Sequence, residues 1–413
     1  MCAQGPTPPE GRFRTPDGDE SYTVLRGGLF KHIALLALSL ILSLMLSSCS
    51  NGRSNGATVE GHKDSGAVTS ESSTVPSTGP PPSASTAVTT TTIRGPLGSG
   101  EPVTLAFAGD SSFQGLTPRL LNDPDKVLSG IAPVLGAADL TMVNLEAALG
   151  AGGSPAAKAF NFQTPVQSLD ALKAAGVDLI TMANNHGMDF GPDGLRASLD
   201  IKTSGIMPIV GIGNNAAEAY APHIAEVKGQ RIGFIGATDV LDASLQASWT
   251  ATDNQPGVAS AKGNNQARLI ASVSATRSQV DTLVVYLHYG RETETCPNGR
   301  QVELANDLVS AGADLVVGSH AHRLQGIGYL GESLVAYGLG NFIFSPGSSV
   351  GRETGVLSVT VTGSRVDGYQ WSPAVIDAGV PEPLSGPSAD AEQAKMARLS
   401  ACTGLASQPS GVP

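Results

Sequence analysis

Short apolar runs alternate with amphipathic stretches from residue 103 onward, and this pattern predicts a layered α/β fold. Between the runs, apolar residues at helical spacing predict helices over 167–175, 194–202 and 301–309. The later run 355–361 instead alternates apolar and polar positions, as an antiparallel strand does. We therefore expect mixed β-sheets covered by helices.

Six of the apolar runs are predicted to be buried strands, and they carry the main chemical signal. Five of them end in Asp, Asn, Glu or His, whereas the run 231–236 is followed by small residues and Asp239. One polar strand end is ordinarily a cap or a turn residue. Polar residues at the ends of five strands favour a single site formed by several loops, because ligands bind at the carboxyl ends of strands in open α/β sheets. The five ends carry Asp110; Asn144 and Glu146; Asn184, Asn185 and His186; His288; and His320 with His322.

These side chains are carboxylates, amides and imidazoles, with no thiolate among them. Such a set suits one or two divalent cations of borderline hardness, namely Mn, Fe or Zn. The motif His320-Ala321-His322 follows an apolar strand and a glycine, and a sharp loop there can bring both imidazoles to one centre. The sequence therefore predicts a metal site.

The first hundred residues differ in composition from the rest. A polar segment precedes the uncharged apolar run 33–46, which is shorter than the roughly 20 residues that a membrane-spanning helix needs. Small residues then precede Cys49, and the whole segment resembles a bacterial lipoprotein signal. We predict a signal peptide with a long n-region over 1–48, lipidation of Cys49, and a lipid-anchored protein on the extracytoplasmic side of the cell membrane. An uncleaved signal anchor is the alternative.

The remaining chain divides into three predicted parts. Residues 49–102 are rich in Ser, Thr, Pro and Gly and are expected to form a disordered spacer. Residues 103–377 form the folded domain, and 378–413 form a connector and tail, with a short polar helix predicted over Ala389 to Ser400. With Cys49 lipidated, Cys296 and Cys402 are expected to pair in an oxidising compartment and to tie the tail to the domain, and two free thiols are the alternative.

The formal net charge is −11. A surface that binds phosphates would need an excess of Lys and Arg. Nucleic acid is therefore excluded as an expected partner.

Taken in chain order, the motifs resemble those of the CapA family of poly-γ-glutamate capsule biosynthesis proteins, from about Val103 to Phe344. The resemblance implies a four-layer αββα sandwich of the metallophosphoesterase type. It also implies a membrane-associated role in the synthesis, anchoring or export of an anionic polymer such as poly-γ-glutamate, with polyglutamate synthase components as partners. The matching motifs are Gly109-Asp110, Asn144-Leu145-Glu146, Ala183-Asn184-Asn185-His186, His288-Tyr289-Gly290, Gly318-Ser319-His320-Ala321-His322 and the segment 337–342.

The resemblance implies a role for each site residue. His186 would be the catalytic residue that contacts substrate or protonates a leaving group. Asn144 would support the ligands, and a share for it in the bridging position stays open. Apart from the resemblance, Asn184 is expected to cap or brace its turn, and Asp189 to cap the following helix or to orient His186. The implied metal ligands are Asp110, Glu146 in the bridging position, Asn185, His288, His320 and His322.

Two motifs depart from the metallophosphoesterase pattern. Ser111-Ser112 follow Asp110 where those enzymes carry Asp-x-His, and Asn144-Leu145-Glu146 replaces Gly-Asp-x-x-Asp. A one-metal site therefore stays open, and so does activity as a metal-dependent hydrolase. The alternatives are an exported metal-dependent phosphoesterase with another substrate and a non-catalytic polymer-binding subunit.

Overall fold

The computed structural model describes residues 98–410. The predicted signal peptide, Cys49 and most of the predicted spacer lie outside the described residues. Within this range, no helix is long and apolar enough to cross a membrane.

The strands and helices of residues 98–410 are as follows. The strands are β1 (Val103–Ser111), β2 (Leu140–Leu145), β3 (Ala148–Leu149), β4 (Gln163–Thr164), β5 (Leu179–Thr181), β6 (Ile209–Val210), β7 (Ile212–Gly213), β8 (His223–Val227), β9 (Gln230–Thr238), β10 (Gly257–Val258), β11 (Thr282–Tyr289), β12 (Leu315–His320), β13 (Ile327–Leu330), β14 (Ser333–Ala336), β15 (Asn341–Ile343), β16 (Glu353–Thr362), β17 (Arg365–Asp377) and β18 (Val380–Pro383). The helices are α1 (Thr117–Asn122), α2 (Ala132–Leu135), α3 (Gln167–Ala174), α4 (Gly191–Ser204), α5 (Ala216–Ala219), α6 (Gln246–Trp249), α7 (Gln266–Arg277), α8 (Gly299–Ala311) and α9 (Gly386–Ser400).

Two large mixed sheets contain most of these strands. The first has the order β18-β17-β16-β1-β2-β5-β6, with β15 pairing in parallel with β1. Its strands β1, β2, β5 and β6 are parallel, whereas β16, β17 and β18 are antiparallel. The second has the order β13-β14-β12-β11-β9-β8, with β9, β11, β12 and β14 parallel. Each sheet thus has a parallel centre and at least one antiparallel edge.

Three apolar cores separate four layers. Alternate residues of a strand face opposite sides of its sheet, and β1 shows this directly. Ala106 and Ala108 pack in a core with residues of α1 to α4, whereas Leu105 and Phe107 pack against residues of the second sheet. On the far side of the second sheet, residues such as Val285 pack with residues of α7 and α8. The predicted four-layer αββα sandwich with mixed sheets is confirmed.

The region predicted as a connector and tail contains the predicted helix and, before it, a strand that the sequence pattern did not indicate. β18 extends the first sheet past Asp377, and its prolines are tolerated because it is an edge strand. Helix α9 begins at Gly386, three residues before the predicted start at Ala389, with a proline in its first turn. Met396 of this helix packs into the core between the sheets. The tail is therefore docked on the domain.

The parallel centres of the two sheets position the candidate site. Asp110 of β1 is paired with Asn144 of β2, and Tyr289 of β11 is paired with His320 of β12. In both pairs the residues lie at the carboxyl ends of their strands. Polar side chains from both sheets consequently reach one edge of the sandwich.

Candidate metal centre

The structure brings together the side chains predicted as metal ligands. They come from the ends of β1, β11 and β12 and from the loops that follow β2, β5 and β12. Two groups of buried or half-buried side chains place one potential ligand atom each within 4.8 Å of one another. The first group is Glu146, His288 and His320, and the second is Asp110, Glu146 and His322.

Glu146 belongs to both groups, which is the geometry expected of a bridging ligand. Its side chain is fully buried, and neither carboxylate oxygen has a hydrogen-bond donor among the described residues. Its Oε1 instead lies 3.4 Å from His288 Nε2, 3.8 Å from His186 Nε2 and 3.9 Å from His322 Nε2. A buried carboxylate without donors is costly unless a cation compensates its charge. The residues present therefore fit a divalent metal ion.

Asp110 is aimed at this centre by a local irregularity in β1. The register with β2 shifts between Ala108 and Asp110, and such a bulge redirects the side chain that follows it. A side chain at Gly109 is excluded, because a Cβ there would lie 2.0 Å from Gly340 O. The glycine of the Gly109-Asp110 motif is thus required by the close approach of the backbone before β15.

The charge state of Asp110 is fixed by its neighbours. Burial alone would raise the pKa of its carboxyl, but the imidazoles of His288 and His322 outweigh burial and hold the pKa well below its ordinary value. Asn144 Nδ2 donates to Asp110 Oδ1 at 2.8 Å, and the backbone N–H of His320 donates to Oδ2 at 3.0 Å. Asp110 is therefore an ionised ligand candidate.

Asn144 and Asn184 brace the loops around the site. Asn184 Nδ2 donates to Asn144 Oδ1 at 2.9 Å and to Leu145 O at 2.8 Å. The backbone N–H of His186 donates to Asn184 Oδ1 at 3.0 Å, so one amide fixes both the β2 end and the loop after β5. The geometry matches the supporting role expected for both asparagines.

The pKa values of His288 and His320 are shifted in opposite directions. Burial alone would lower the pKa of His288, but the carboxylates of Glu146 and Asp110 raise it to about 9. Burial and the neighbouring imidazoles hold the pKa of His320 well below its ordinary value. His320 Nδ1 lies 3.1 Å from His288 Nε2, which in turn lies 2.6 Å from Asn185 Oδ1. Asn185 therefore adds a potential oxygen ligand beside the first group.

The two histidines of the His-x-His motif adopt left-handed backbone conformations, with φ of 92° at His320 and 52° at His322. These values are rare for residues with a side chain, and such strain is concentrated at functional sites. Both imidazoles reach the cluster around Glu146, as expected for the motif. His320 belongs to the first ligand group and His322 to the second. The ring centroids lie 5.8 Å apart.

His186 lies at the edge of the centre, and Asp189 fixes its orientation. His186 Nδ1 lies 2.5 Å from Asp189 Oδ2, which leaves Nε2 facing Glu146 Oε1. Asp189 is fully buried and accepts hydrogen bonds from Lys158 Nζ at 2.9 Å and from the backbone N–H of Phe162 at 2.7 Å. Asp189 is thus placed as an acceptor that orients the imidazole.

Sequence comparison finds a family match over the part of the chain that contains this site. The family described as "Bacterial capsule synthesis protein PGA_cap" matches residues 104–346, more than half of the 413-residue chain. The chain belongs to this family. The matched range of the PGA_cap family includes all six candidate ligands and His186. The resemblance predicted from the motifs is therefore confirmed at the level of the family.

Two relatives of this chain are Bacillus proteins that are both named CapA. The PGA biosynthesis protein CapA of Bacillus subtilis (strain 168) is 28% identical over 291 residues, which cover 69% of this chain and 75% of that protein. The capsule biosynthesis protein CapA of Bacillus anthracis is 26% identical over 292 residues, which cover 69% of this chain and 70% of that protein. Among solved structures, a hypothetical protein from Thermus thermophilus superposes with a TM-score of 0.42 at 16% identity, over 66% of this chain and 100% of that one.

Two polar residues of this PGA_cap member were not predicted as site residues. Lys158 is almost fully buried and donates to Asn185 O as well as to Asp189. Asn341 accepts a hydrogen bond at 2.7 Å from His322 Nδ1, which leaves His322 Nε2 directed to the centre. Lys158 lies in an irregular loop, where no periodicity marks it. Asn341 lies in the segment 337–342, one of the motifs that resemble the CapA family, but it does not directly follow one of the six predicted strands.

An open cavity of about 490 Å³ forms the mouth of the site. Phe162 stacks on His186 with ring centroids 4.2 Å apart, and Phe344 contacts both Phe162 and His322. Phe160, also at the mouth, is 68% exposed. The approach to the centre is therefore an aromatic wall next to imidazoles.

A disulfide ties the tail to the loop that contains Glu292, a residue that lines this mouth. Cys296 and Cys402 are joined with a Cα–Cα distance of 5.8 Å, as the pairing predicted from the sequence requires. The loop that contains Cys296 is also fixed by Gln325, whose Nε2 donates to Glu294 O and Cys296 O. The C-terminal tail is thereby tied to a wall of the site.

Proposed function

We propose that this chain is a lipid-anchored, extracytoplasmic member of the PGA_cap family that acts in the synthesis, anchoring or export of a poly-γ-glutamate-type capsule polymer. It does so through a site for one or two divalent ions, Mn, Fe or Zn. The main support for this metal site is the buried Glu146 carboxylate, which two ligand groups share. The names of the Bacillus relatives support the polymer.

The donor set supports a catalytic metal rather than a structural one. Imidazole and carboxylate ligands without thiolates suit borderline cations, and the open cavity of about 490 Å³ gives substrate access to the centre. A divalent ion held by these residues would polarise a substrate oxygen and lower the pKa of a bound water. A centre of this kind would support hydrolysis or transfer at a phosphoester or a polymer amide.

The chain's own residues position a proton donor beside that centre. Asp189 holds the proton of His186 on Nδ1, and Lys158 holds Asp189 in place. His186 Nε2 is therefore the atom that accepts or donates a proton, on the side of Glu146. Phe162 stacked on the imidazole limits the rotation of the ring.

A deletion strain tests the proposal. We expect deletion of the gene to abolish or reduce surface polyglutamate. Plasmid-borne wild type should restore it, and Glu146→Ala or His320→Ala should not. His223→Ala is the matched control, because His223 is a half-buried histidine in β8 outside both ligand groups. Polymer is measured by acid hydrolysis of surface material and glutamate analysis, with immunoblots to show equal protein levels.

Unchanged polymer in the deletion strain would contradict the proposed function. In that case, turnover of a phosphoester by the metal-replete protein would support the exported phosphoesterase. Restoration by His186→Ala, together with saturable polymer binding in vitro, would assign the chain to the non-catalytic polymer-binding class. Hydrolysis of polyglutamate by wild type and not by His186→Ala would assign it to the hydrolases.

The lipid anchor has its own test. Cells that express the wild-type chain should incorporate labelled fatty acid into it, and Cys49→Ser should lose both the label and the membrane association. Cys2→Ser is the control, because that residue precedes the proposed cleavage site. Release of wild type into the soluble fraction without label would contradict the anchor.

A further inference from the structure

A second cavity of about 490 Å³ lies beside the metal centre and contains none of its candidate ligands. Three of its lining residues, Lys262, Arg291 and Arg300, are cations, against the single carboxylate of Asp239. The chain as a whole has 25 Lys and Arg against 36 Asp and Glu. A cavity with this balance is a local exception on an acidic protein, and its size is typical of a ligand site.

The base of the cavity is rigid. Arg300 makes a bidentate pair with Asp239, from Nε at 3.1 Å and from Nη2 at 2.9 Å. Its other contacts are Gln266 Oε1 at 2.8 Å and Ala261 O at 3.0 Å. Glu303 approaches from outside the lining at 3.5 Å. Arg300 is therefore held in place by these contacts, and its charge is already paired with a carboxylate.

The other two cations are available to a ligand. Lys262 Nζ has a long 3.5 Å contact with Leu241 O, and no carboxylate of the described residues pairs with it. Arg291 is 76% exposed and is 3.7 Å from the half-exposed Glu294, a pair that solvent screens strongly. Together they present positive charge that the protein itself leaves weakly compensated.

The cavity and the mouth of the metal centre share one wall. His288 ends at the metal centre, and two residues later Gly290 and then Arg291 line the basic cavity, whereas Glu292 lines the mouth. The backbone N–H of Asp239 donates to His288 O at 3.0 Å, which ties the cavity base to the same strand. A ligand that extends across this wall would occupy both cavities.

We propose that the basic cavity is a carboxylate-binding subsite that holds one segment of an anionic polymer while another segment lies at His186 and His322. This inference rests on the proposed function, because a polymer with one free carboxylate on each residue is the ligand that needs repeated cationic subsites. Lys262 and Arg291 bind the carboxylate, and the Arg300–Asp239 pair keeps the wall rigid. The subsite gives preference for long chains over single residues.

Calorimetric titration of the full chain with γ-linked glutamate oligomers of increasing length tests the subsite. We expect Lys262→Gln/Arg291→Ala to weaken binding of the longest oligomers by about tenfold, the combined effect of two partly exposed cations. Binding of the shortest oligomer should be unchanged. Neither side chain is buried in a core, so the unfolding midpoint should match that of wild type.

Lys202→Gln/Arg196→Ala is a matched control. Lys202 is likewise half-buried and donates to a backbone carbonyl, Ile212 O, and Arg196 is 69% exposed with an acidic partner at i−3. Both lie outside the two cavities. This control should bind every oligomer like wild type.

The outcomes separate the subsite from the proposed function. Equal binding by wild type and the Lys262/Arg291 variant at every length would overturn the subsite and leave the proposed function intact. An equal loss at all lengths, including the shortest, would also overturn a separate subsite. If wild type bound no oligomer, the polymer would be the wrong ligand and both proposals would fall.

Discussion

Replacement of both disulfide cysteines, Cys296→Ser/Cys402→Ser, should destabilise the domain without changing its metal centre. The bond closes a loop between residues 106 apart in the sequence. It joins the loop that holds Arg291 and Glu292, which line the two cavities, to the segment after α9.

The magnitude follows from the length of the closed loop. In the chain-entropy treatment, a link across about 106 residues lowers the entropy of the unfolded chain enough to stabilise the fold by about 4.8 kcal/mol at 25 °C. The tail also has non-covalent contacts: Met396 packs in the core, Ser400 bonds Ile327, and Ala406 pairs with Tyr329. The tail should therefore stay docked in the variant while the free energy of unfolding falls.

Equilibrium unfolding in urea, followed by tryptophan fluorescence, measures the difference. For a domain of this size, a loss of about 4.8 kcal/mol corresponds to a fall in Tm of about 7 °C. Wild type treated with a reductant is the control and should unfold like the double serine variant. Limited proteolysis should cleave the region after α9 faster in both.

An unchanged midpoint in the double serine variant would refute this reasoning, because the loop-closure term does not depend on the serine side chains. A reduced wild type that stayed as stable as the oxidised protein would refute it equally. A variant that lost bound metal would show that the disulfide shapes the centre itself.

Three further predictions concern individual residues. Lys158→Met should lower the free energy of unfolding by about 3 kcal/mol in urea titrations, because the buried Asp189 carboxylate loses its lysine partner and keeps only its contacts with the Phe162 N–H and His186 Nδ1. A loss below about 1 kcal/mol would contradict this. Gly109→Ala should cost about 2 kcal/mol or more by the same measurement, since the new Cβ overlaps Gly340 O; wild-type stability would show that β15 can move away. The pKa of His288 is about 9 in the fold, above its ordinary value of 6.5, so in metal-free protein its protonated form stabilises the fold. This stabilisation is fully present below pH 6.5 and is lost as pH rises through about 9. Unfolding midpoints should therefore fall over this range in wild type and not in His288→Gln.

The strand ends could be predicted from the sequence because each combines two local signals. A buried strand requires an uninterrupted apolar run, as in β11, and the polar residue after it stands out by contrast. Parallel neighbours then bring ends such as Asp110 and His320 together without any further information. The candidate ligands and a layered α/β fold follow from this reasoning, whereas the four-layer αββα arrangement is what the resemblance to the CapA family implies.

Other features depend on contacts between distant residues. Lys158 reaches Asp189 across 31 positions from a loop without periodicity, so nothing local distinguishes it from a solvated lysine. The left-handed backbone at His320 and His322 could not be predicted, because neither position is a glycine. The basic cavity combines Lys262 with Arg291 and Arg300 from a different loop and helix. Short β18 is defined only by its pairing with β17.

The shared position of Glu146 is the central claim, and metal content per chain tests it most directly. Wild type, His322→Ala, Glu146→Ala and the control His223→Ala would be purified as full chains, loaded with Mn, Fe or Zn, desalted, and analysed by inductively coupled plasma mass spectrometry. Glu146→Ala should lose all tightly bound metal, because both ligand groups contain Glu146. His322→Ala should keep the ion of the group formed by Glu146, His288 and His320. The control should match wild type. Full metal retention by folded Glu146→Ala, or no retention by wild type, would contradict the account.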